Sequence, residues 1–342
     1  MKKYSDFIYN ELPKIKIPHY INKKFSISYF GAQVRFHEQV KELLPINVPK
    51  YIDLVAGGNG TPYQLLKEGR VLDIATNDLS YYSYITAKTV FGGKKYETEE
   101  LLKMLDIEVL NGYSTNNYNK FLPLHLSEYI DGFCVSNSNN PIALAALGKT
   151  MMNELTFRGL GLCHTMMDGT KIVDYGIEQF IISIYKRMRE FNSFIVPNGK
   201  AHNYNANEFV QIYDGFKDAV VYADPAWPFP HTPLDPGINP YIFSSEQLPS
   251  ILKQTTTSMK LPWNNTEETH IYNDIKLWIE TTLNKGAQLF IINSQSTNYP
   301  PIEHLNEFIR KTFNVVNYKE HIAFSRLAKT KTFKEYWWVI KK

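Results

Sequence analysis

An apolar strand pattern, Tyr51-Ile52-Asp53-Leu54-Val55, runs straight into the loop Ala56-Gly57-Gly58-Asn59-Gly60, and a short helical pattern from Pro62 to Glu68 follows. Glycine adopts backbone angles that side chains forbid, so such a loop can turn sharply and let a ligand approach the main chain. Gly69 ends the helix, Arg70-Val71-Leu72-Asp73-Ile74-Ala75-Thr76 supplies a second strand, and Asn77-Asp78 closes it. Two strands joined by a helical crossover lie parallel, and a parallel pair needs helices on both faces. This segment therefore commits the chain to an α/β sheet.

The loop spacing departs from the GxGxxG of dinucleotide sites, and no lysine follows it as in a phosphate-binding P-loop. Asp78 lies about 20 residues beyond the glycines, where an acid accepts hydrogen bonds from a ribose. A nucleoside cofactor without phosphates, such as S-adenosylmethionine, fits that combination. A plain βαβ packing turn is the structural alternative.

A second apolar run, Val220-Val221-Tyr222-Ala223, stops at Asp224-Pro225-Ala226-Trp227-Pro228. Proline cannot continue a ladder, so Asp224 falls at the carboxyl edge of a buried strand, where open α/β sheets bind ligands. An acid, a carbonyl fixed by proline and a flat ring suit methylation of an exocyclic amino group on a nucleobase. Such a nitrogen is a poor nucleophile, and acceptors for its N–H bonds favour the geometry of attack. Asp224 and the Pro225 carbonyl would be those acceptors, and Trp227 would stack on the extruded base. The structural alternative is a strand followed by a proline-rich turn.

With 342 residues, 44% hydrophobic and 21% charged, the chain can bury a large core in one big domain or two. A net charge of +3 leaves nucleic-acid binding to local basic faces. Cys134 and Cys163 make neither a disulfide framework nor a metal-ligand set, so no metal is expected. The first 24 residues lack the apolar core of a signal peptide, and no later run reaches membrane-spanning length, which makes the cytoplasm the expected compartment.

Between the two runs the composition changes. A helix over Ser80 to Lys88 ends near Gly92-Gly93, and residues 94–200 read as a mostly helical insertion. It comprises a charged helix (Glu97 to Met104), a polar loop (111–120) and helical patterns over Pro141 to Leu155 and Ile172 to Phe191. Residues 1–93 and 201–342 then form one discontinuous domain. Arg158, Lys186, Arg187, Arg189 and Lys200 are the insertion's candidate phosphate contacts, with a solvated helix face as the alternative. Further on come a short helix near Asn207-Glu208-Phe209, a proline- and glycine-rich loop from 228 to 240 suited to a lid, and helices from Ser244 and Thr266. A strand over Gln288 to Ser294 follows, and two antiparallel neighbours, Phe313 to Phe324 and Lys334 to Ile340, complete the edge.

Taken in order, these motifs resemble the alpha class of DNA N6-adenine methyltransferases over most of the chain. Tyr29-Phe30-Gly31, Val55 to Gly60, Asn77-Asp78 with Tyr81-Tyr82, the helical insertion, Phe194 to Gly199, Asn207-Glu208-Phe209 and Asp224 to Trp227 stand where that family has its motifs. The resemblance implies a Rossmann-like S-adenosylmethionine-dependent methyltransferase sheet with an inserted helical target-recognition domain. It implies methyl transfer to adenine N6 in double-stranded DNA by base flipping, without a metal, and a cognate restriction endonuclease where such enzymes serve restriction-modification. By the same resemblance Tyr29, Phe30, Val55, Ala56, Gly57, Gly58, Asn59, Asp78, Leu79, Glu208, Phe209 and Asp224 would surround the cofactor. Asp224, Pro225 and Trp227 would be the catalytic set. Val55 replaces the family's phenylalanine, Asn59 its second glycine and Ala226 its second proline. Cytosine N4, RNA, a silent DNA-binding relative and a purely structural domain are the competing readings.

Overall fold

In the computed structural model, which describes residues 4–16, 25, 36–109, 112, 114–115, 122–155, 175–228, 248–253, 267–324 and 332–342, seven strands form one sheet. They are β1 (Val48–Asp53), β2 (Val71–Asn77), β3 (Lys200–His202), β4 (Ala219–Ala223), β5 (Leu289–Gln295), β6 (Asn314–Phe324) and β7 (Thr332–Lys341). Their order is β3-β2-β1-β4-β5-β7-β6, and only β7 runs against its neighbours. Chain order climbs outward from β1 to β3 and then returns to start again at β4, beside β1. The pattern is a doubly wound, Rossmann-like α/β sheet.

Twelve helices among the described residues accompany it: α1 (Ser5–Asn10), α2 (His37–Leu43), α3 (Gly60–Lys67), α4 (Tyr81–Val90), α5 (Thr98–Leu105), α6 (Leu124–Ser136), α7 (Pro141–Thr150), α8 (Ile177–Phe194), α9 (Ala206–Ile212), α10 (Ser250–Lys253), α11 (Glu268–Asn284) and α12 (Ile302–Thr312). Side chains alternate across each strand, which gives the sheet two apolar faces. Tyr51, Val220, Tyr222, Ile291, Trp337 and Val339 share one core with α4, α7 and α8. Ile52, Leu54, Val221, Ala223, Ile292 and Trp338 share the other with α9, α11 and α12. Burial on both faces explains why β4 reads as an unbroken apolar run.

The expected helices of segment 94–200 are present, with shifted ends. The pattern over Pro141 to Leu155 divides into α7 and a π-helical turn, Met151–Leu155. The pattern over Ile172 to Phe191 becomes α8, and residues 172–174 lie outside the described ones. Three helices, α1, α6 and α12, have no counterpart in the sequence reading. Most of the polar loop 111–120, the loop 229–247 with the expected lid, and the helix start at Ser244 also lie outside the described residues. Segment 94–200 joins the sheet's first face in one continuous apolar cluster. α7 is buried from Ile142 to Thr150, and a Cβ on Gly148 would stand 2.5 Å from the Tyr82 ring, so glycine is what lets α7 lie on α4.

α8 is held by charge as well as packing. Glu190 reaches Lys149 on α7 at 3.0 Å and Arg187 on its own helix at 3.1 Å, with only 6% of the Lys149 side chain exposed. No helix among the described residues is long and apolar enough to cross a membrane. Removing the shared carboxylate strands a buried ammonium, which is costly even where the intact pair contributes little. Glu190→Ala is expected to lower the unfolding free energy in urea by about 3–5 kcal/mol; an unchanged midpoint would mean the pair is not sequestered.

Candidate functional site

Open α/β sheets place a crevice where strand order reverses, outside the carboxyl ends of the flanking strands. Here that is the gap between β1 and β4. The Leu54 N–H donates to the Tyr222 carbonyl at 2.9 Å and the Ala56 N–H to the Asn77 carbonyl at 2.9 Å, so the glycine loop is laced to strands on either side. Asn77 is buried and fully used. Its amide donates to the Leu54 and Tyr204 carbonyls, both at 3.0 Å, and its oxygen accepts the Tyr204 N–H at 3.0 Å.

Asp78 holds the loop directly, accepting the Gly57 N–H at 2.7 Å and the Ser80 N–H at 2.8 Å. Asn59 takes the left-handed conformation, φ 55°, that a glycine would otherwise supply. Its amide donates to the Gly57 carbonyl at 3.1 Å and to the Ser83 carbonyl and hydroxyl at 3.2 Å. The Asn59 side chain therefore pins the loop to α4. Asn203 continues the brace from β3, donating to the carbonyls of Asp78 and Leu79 at 2.7 and 3.0 Å. Val55 and Ala56 stand partly exposed at the rim, and Gly58 is buried beneath it.

Three carboxyl groups gather at the crevice. Asp53, at the end of β1, is pushed well above the usual carboxylate range by burial, against the Val55 N–H that favours its charge, with Asp224 and Asp78 adding repulsion. Burial raises Asp78 to about 6, opposed by the hydrogen bonds from Gly57 and Ser80. Sequence reasoning missed Asp53; an acid inside an apolar strand was the available signal.

Asp224 is half-buried at the end of β4. The Pro225 carbonyl accepts the Trp227 N–H at 2.8 Å, closing a γ-turn on Ala226 with negative φ, the conformation a proline would fix. Trp227 is 3% exposed in the second-face core, and its indole N–H donates to the Asn293 carbonyl at 2.9 Å. The Tyr299 N–H donates to the Pro228 carbonyl at 2.9 Å. In this state both groups assigned to the base are engaged within the protein.

The remaining expected residues are distributed as follows. Phe209 is fully buried, stacked on Tyr213 at 4.8 Å and packed against His202 at 5.1 Å, while Glu208 stands half-buried in the first turn of α9. Tyr29, Phe30 and Arg158 lie outside the described residues. Arg187 pairs with Glu190, and Arg189 donates to the Thr98 hydroxyl at 3.0 Å and the Tyr185 hydroxyl at 3.1 Å. Lys186 is half-buried on α8, and Lys200 is exposed on the edge strand. Among the described residues one group has metal-ligand spacing, His37, Glu38 and Glu68, but the Lys41 ammonium already sits 2.6 Å from Glu68 and 3.6 Å from Glu38.

A scan against protein-family models finds no match, and a search of curated proteins finds none.

An acid whose folded value lies above its ordinary one, here 3.8, binds its proton more tightly in the folded chain. The stability this contributes is full below about pH 4 and is lost as pH rises through about 6. Above that value the ionised carboxylate is the stronger acceptor for a ribose. S-adenosylmethionine affinity measured by calorimetry is expected to fall as pH drops from 8 through about 6, with Asp78→Asn flattening the profile. A wild-type affinity independent of pH would show that Asp78 does not meet this ligand.

Proposed function

We propose that the chain is an S-adenosylmethionine-dependent DNA adenine-N6 methyltransferase acting on a flipped-out base. The observation that carries this reading is the meeting, at one topological switch point, of a glycine loop held by Asp78 with Asp224 at the end of the adjacent strand. The strand order supports it too. A doubly wound sheet binds ligands at the carboxyl ends of the strands flanking its switch point, which is where Asp78 and Asp224 lie.

The residues fit the cofactor. Asp78 takes the Gly57 and Ser80 N–H groups on different carboxylate oxygens, has Ser83 as a further partner, and keeps lone pairs for ribose hydroxyls. Asn59 Oδ1 is buried at the turn of the loop with no hydrogen-bond partner among the described residues. When bound, S-adenosylmethionine supplies a methyl group on a sulfonium. Asp78, ionised above about pH 6, and the Asp224 carboxylate give the crevice a negative bias that favours a cation. Asp224 would accept an N–H of the base amine, orient its nitrogen for in-line attack and take a proton late, once the nitrogen has become cationic. Lys186 and Lys200 are the expected phosphate contacts, while Arg187 and Arg189 serve mainly to hold helices together.

A second reading, a silent DNA-binding relative, draws on the burial of Trp227 and the occupied Pro225 carbonyl. One assay separates the two. Asp224→Ala is expected to reduce labelled methyl transfer to genomic DNA by at least about 100-fold while sparing most DNA binding. An active Asp224→Ala protein would contradict the assignment. Nucleoside mass spectrometry distinguishes N6-methyladenine from N4-methylcytosine and from methylated RNA. Transfer absent from the native protein and present in Ala226→Pro would select the silent relative.

A further inference from the structure

The sheet ends on two edges of different kinds. β3 is three residues long, whereas β6 runs for eleven and, among the described residues, has a strand on one side only. Which of its main-chain groups are open follows from the ladder. The Ser296 N–H donates to the Lys334 carbonyl at 2.8 Å and the Lys334 N–H to the Ser296 hydroxyl at 3.0 Å, so the Lys334 main chain faces β5. Bonding direction alternates along a strand, so Glu335, Trp337 and Val339 face β6, where they stand opposite His321, Lys319 and Asn317. The residues between, Tyr318, Glu320 and Ile322, therefore turn their N–H and carbonyl groups to the open edge. The Tyr318 N–H is met there by the Asn317 side-chain oxygen at 2.8 Å, a local substitute for a neighbouring strand.

An open edge is ordinarily blunted by charge, because a row of free main-chain groups invites another strand. On β6 the charges are spent within the chain. Lys319 pairs with Glu42 on α2, while Glu320 accepts the Tyr318 hydroxyl at 2.8 Å and lies 3.4 Å from Lys334. Val316, which a β-bulge leaves out of the β7 register, and Ile322 are 50% and 60% exposed. Each stands three residues from Lys319, the middle of the strand.

We propose that two copies of this chain pair antiparallel along β6, about a two-fold axis at Lys319, and so join their sheets. In that register Val316 of each copy falls opposite Ile322 of the other, and Tyr318 opposite Glu320 in a hydrogen-bonded pair. The exposed apolar residues cover one another, and the outward N–H groups of Tyr318 and Glu320 gain carbonyls. A register centred on Glu320 would instead set two carboxylates against each other. The strand's own pattern selects a second copy as the occupant, since one sequence read in both directions supplies both halves of the match. The two Lys319 ammonium groups meet at the axis with a Glu42 beside each. The axis stands perpendicular to the sheet, so the Asp224 edges of the two sheets point in opposite directions and neither crevice is covered.

Sedimentation of the full chain tests this. An edge-to-edge contact makes a weak dimer, expected to be populated at about 100 µM and to dissociate on dilution. Ile322→Lys places a charge in the seam, and Ile322→Pro removes an N–H that faces the edge and not β7. Each is expected to weaken dimerisation at least about 10-fold. The Tm of dilute Ile322→Lys is expected to match that of the native chain, because the side chain it replaces is exposed. Lys319→Cys supplies a readout that needs no loss of binding. Opposite residues of a non-hydrogen-bonded pair stand about 4.5 Å apart, within disulfide reach, so mild oxidation is expected to give a 319–319 bridge identified by peptide mass spectrometry. A chain that stays monomeric at about 100 µM would overturn the proposal and leave the edge to another occupant. A dimer that both substitutions at Ile322 leave intact, or one in which Lys319→Cys forms no 319–319 bridge, would place the contact elsewhere and overturn it as well.

Discussion

The hydrogen bonds of Asn77 and Asp78 across the ends of three strands are the interaction on which the candidate site depends. β1, β2 and β3 would each end in unpaired main-chain groups at this edge. Asn77 pairs with Leu54 after β1 and Tyr204 after β3, and Asp78 takes the Gly57 and Ser80 N–H groups. The glycine loop is consequently a fixed surface, and little ordering entropy remains to be lost when a ligand binds there.

Electrostatics at the edge follows from the same placement. The strand register sets Asp53 beside Tyr222, two residues before Asp224, and the loop draws in Asp78. Burial and mutual repulsion oppose ionisation of these acids, so a cation in the crevice relieves a cost that the folded chain already carries. A positively charged methyl donor meets that requirement, and a phosphate-bearing cofactor does not.

The sequence and the structure agree most closely where local chemistry decides the outcome. Alternation, glycines and prolines mark β1, β2, β4 and β5, the position of Asp78 and the left-handed turn at Asn59, because each depends on a few consecutive residues. Side-chain roles set by distant partners were not legible. Asn77 bonds across 127 positions, Arg189 across 91, and the Trp227 indole across 66 to a strand end that no local pattern connects to it. Arg187 in a basic run looks like a phosphate contact until Glu190 and Lys149 are seen around it. α6 escaped notice although Leu126, Tyr129, Ile130 and Phe133 follow helical spacing, since Gly132 and the serines of this stretch weaken its local preference. The continuous core between segment 94–200 and the sheet is likewise a product of packing that composition does not encode.

A crystal structure with S-adenosylhomocysteine would test the switch-point site most directly. The account predicts the amino-acid part of the ligand over residues 55–59, its ribose hydroxyls on Asp78, and its sulfur directed toward Asp224. Ligand bound elsewhere on the sheet, or a crevice left empty at saturating concentration, would contradict it.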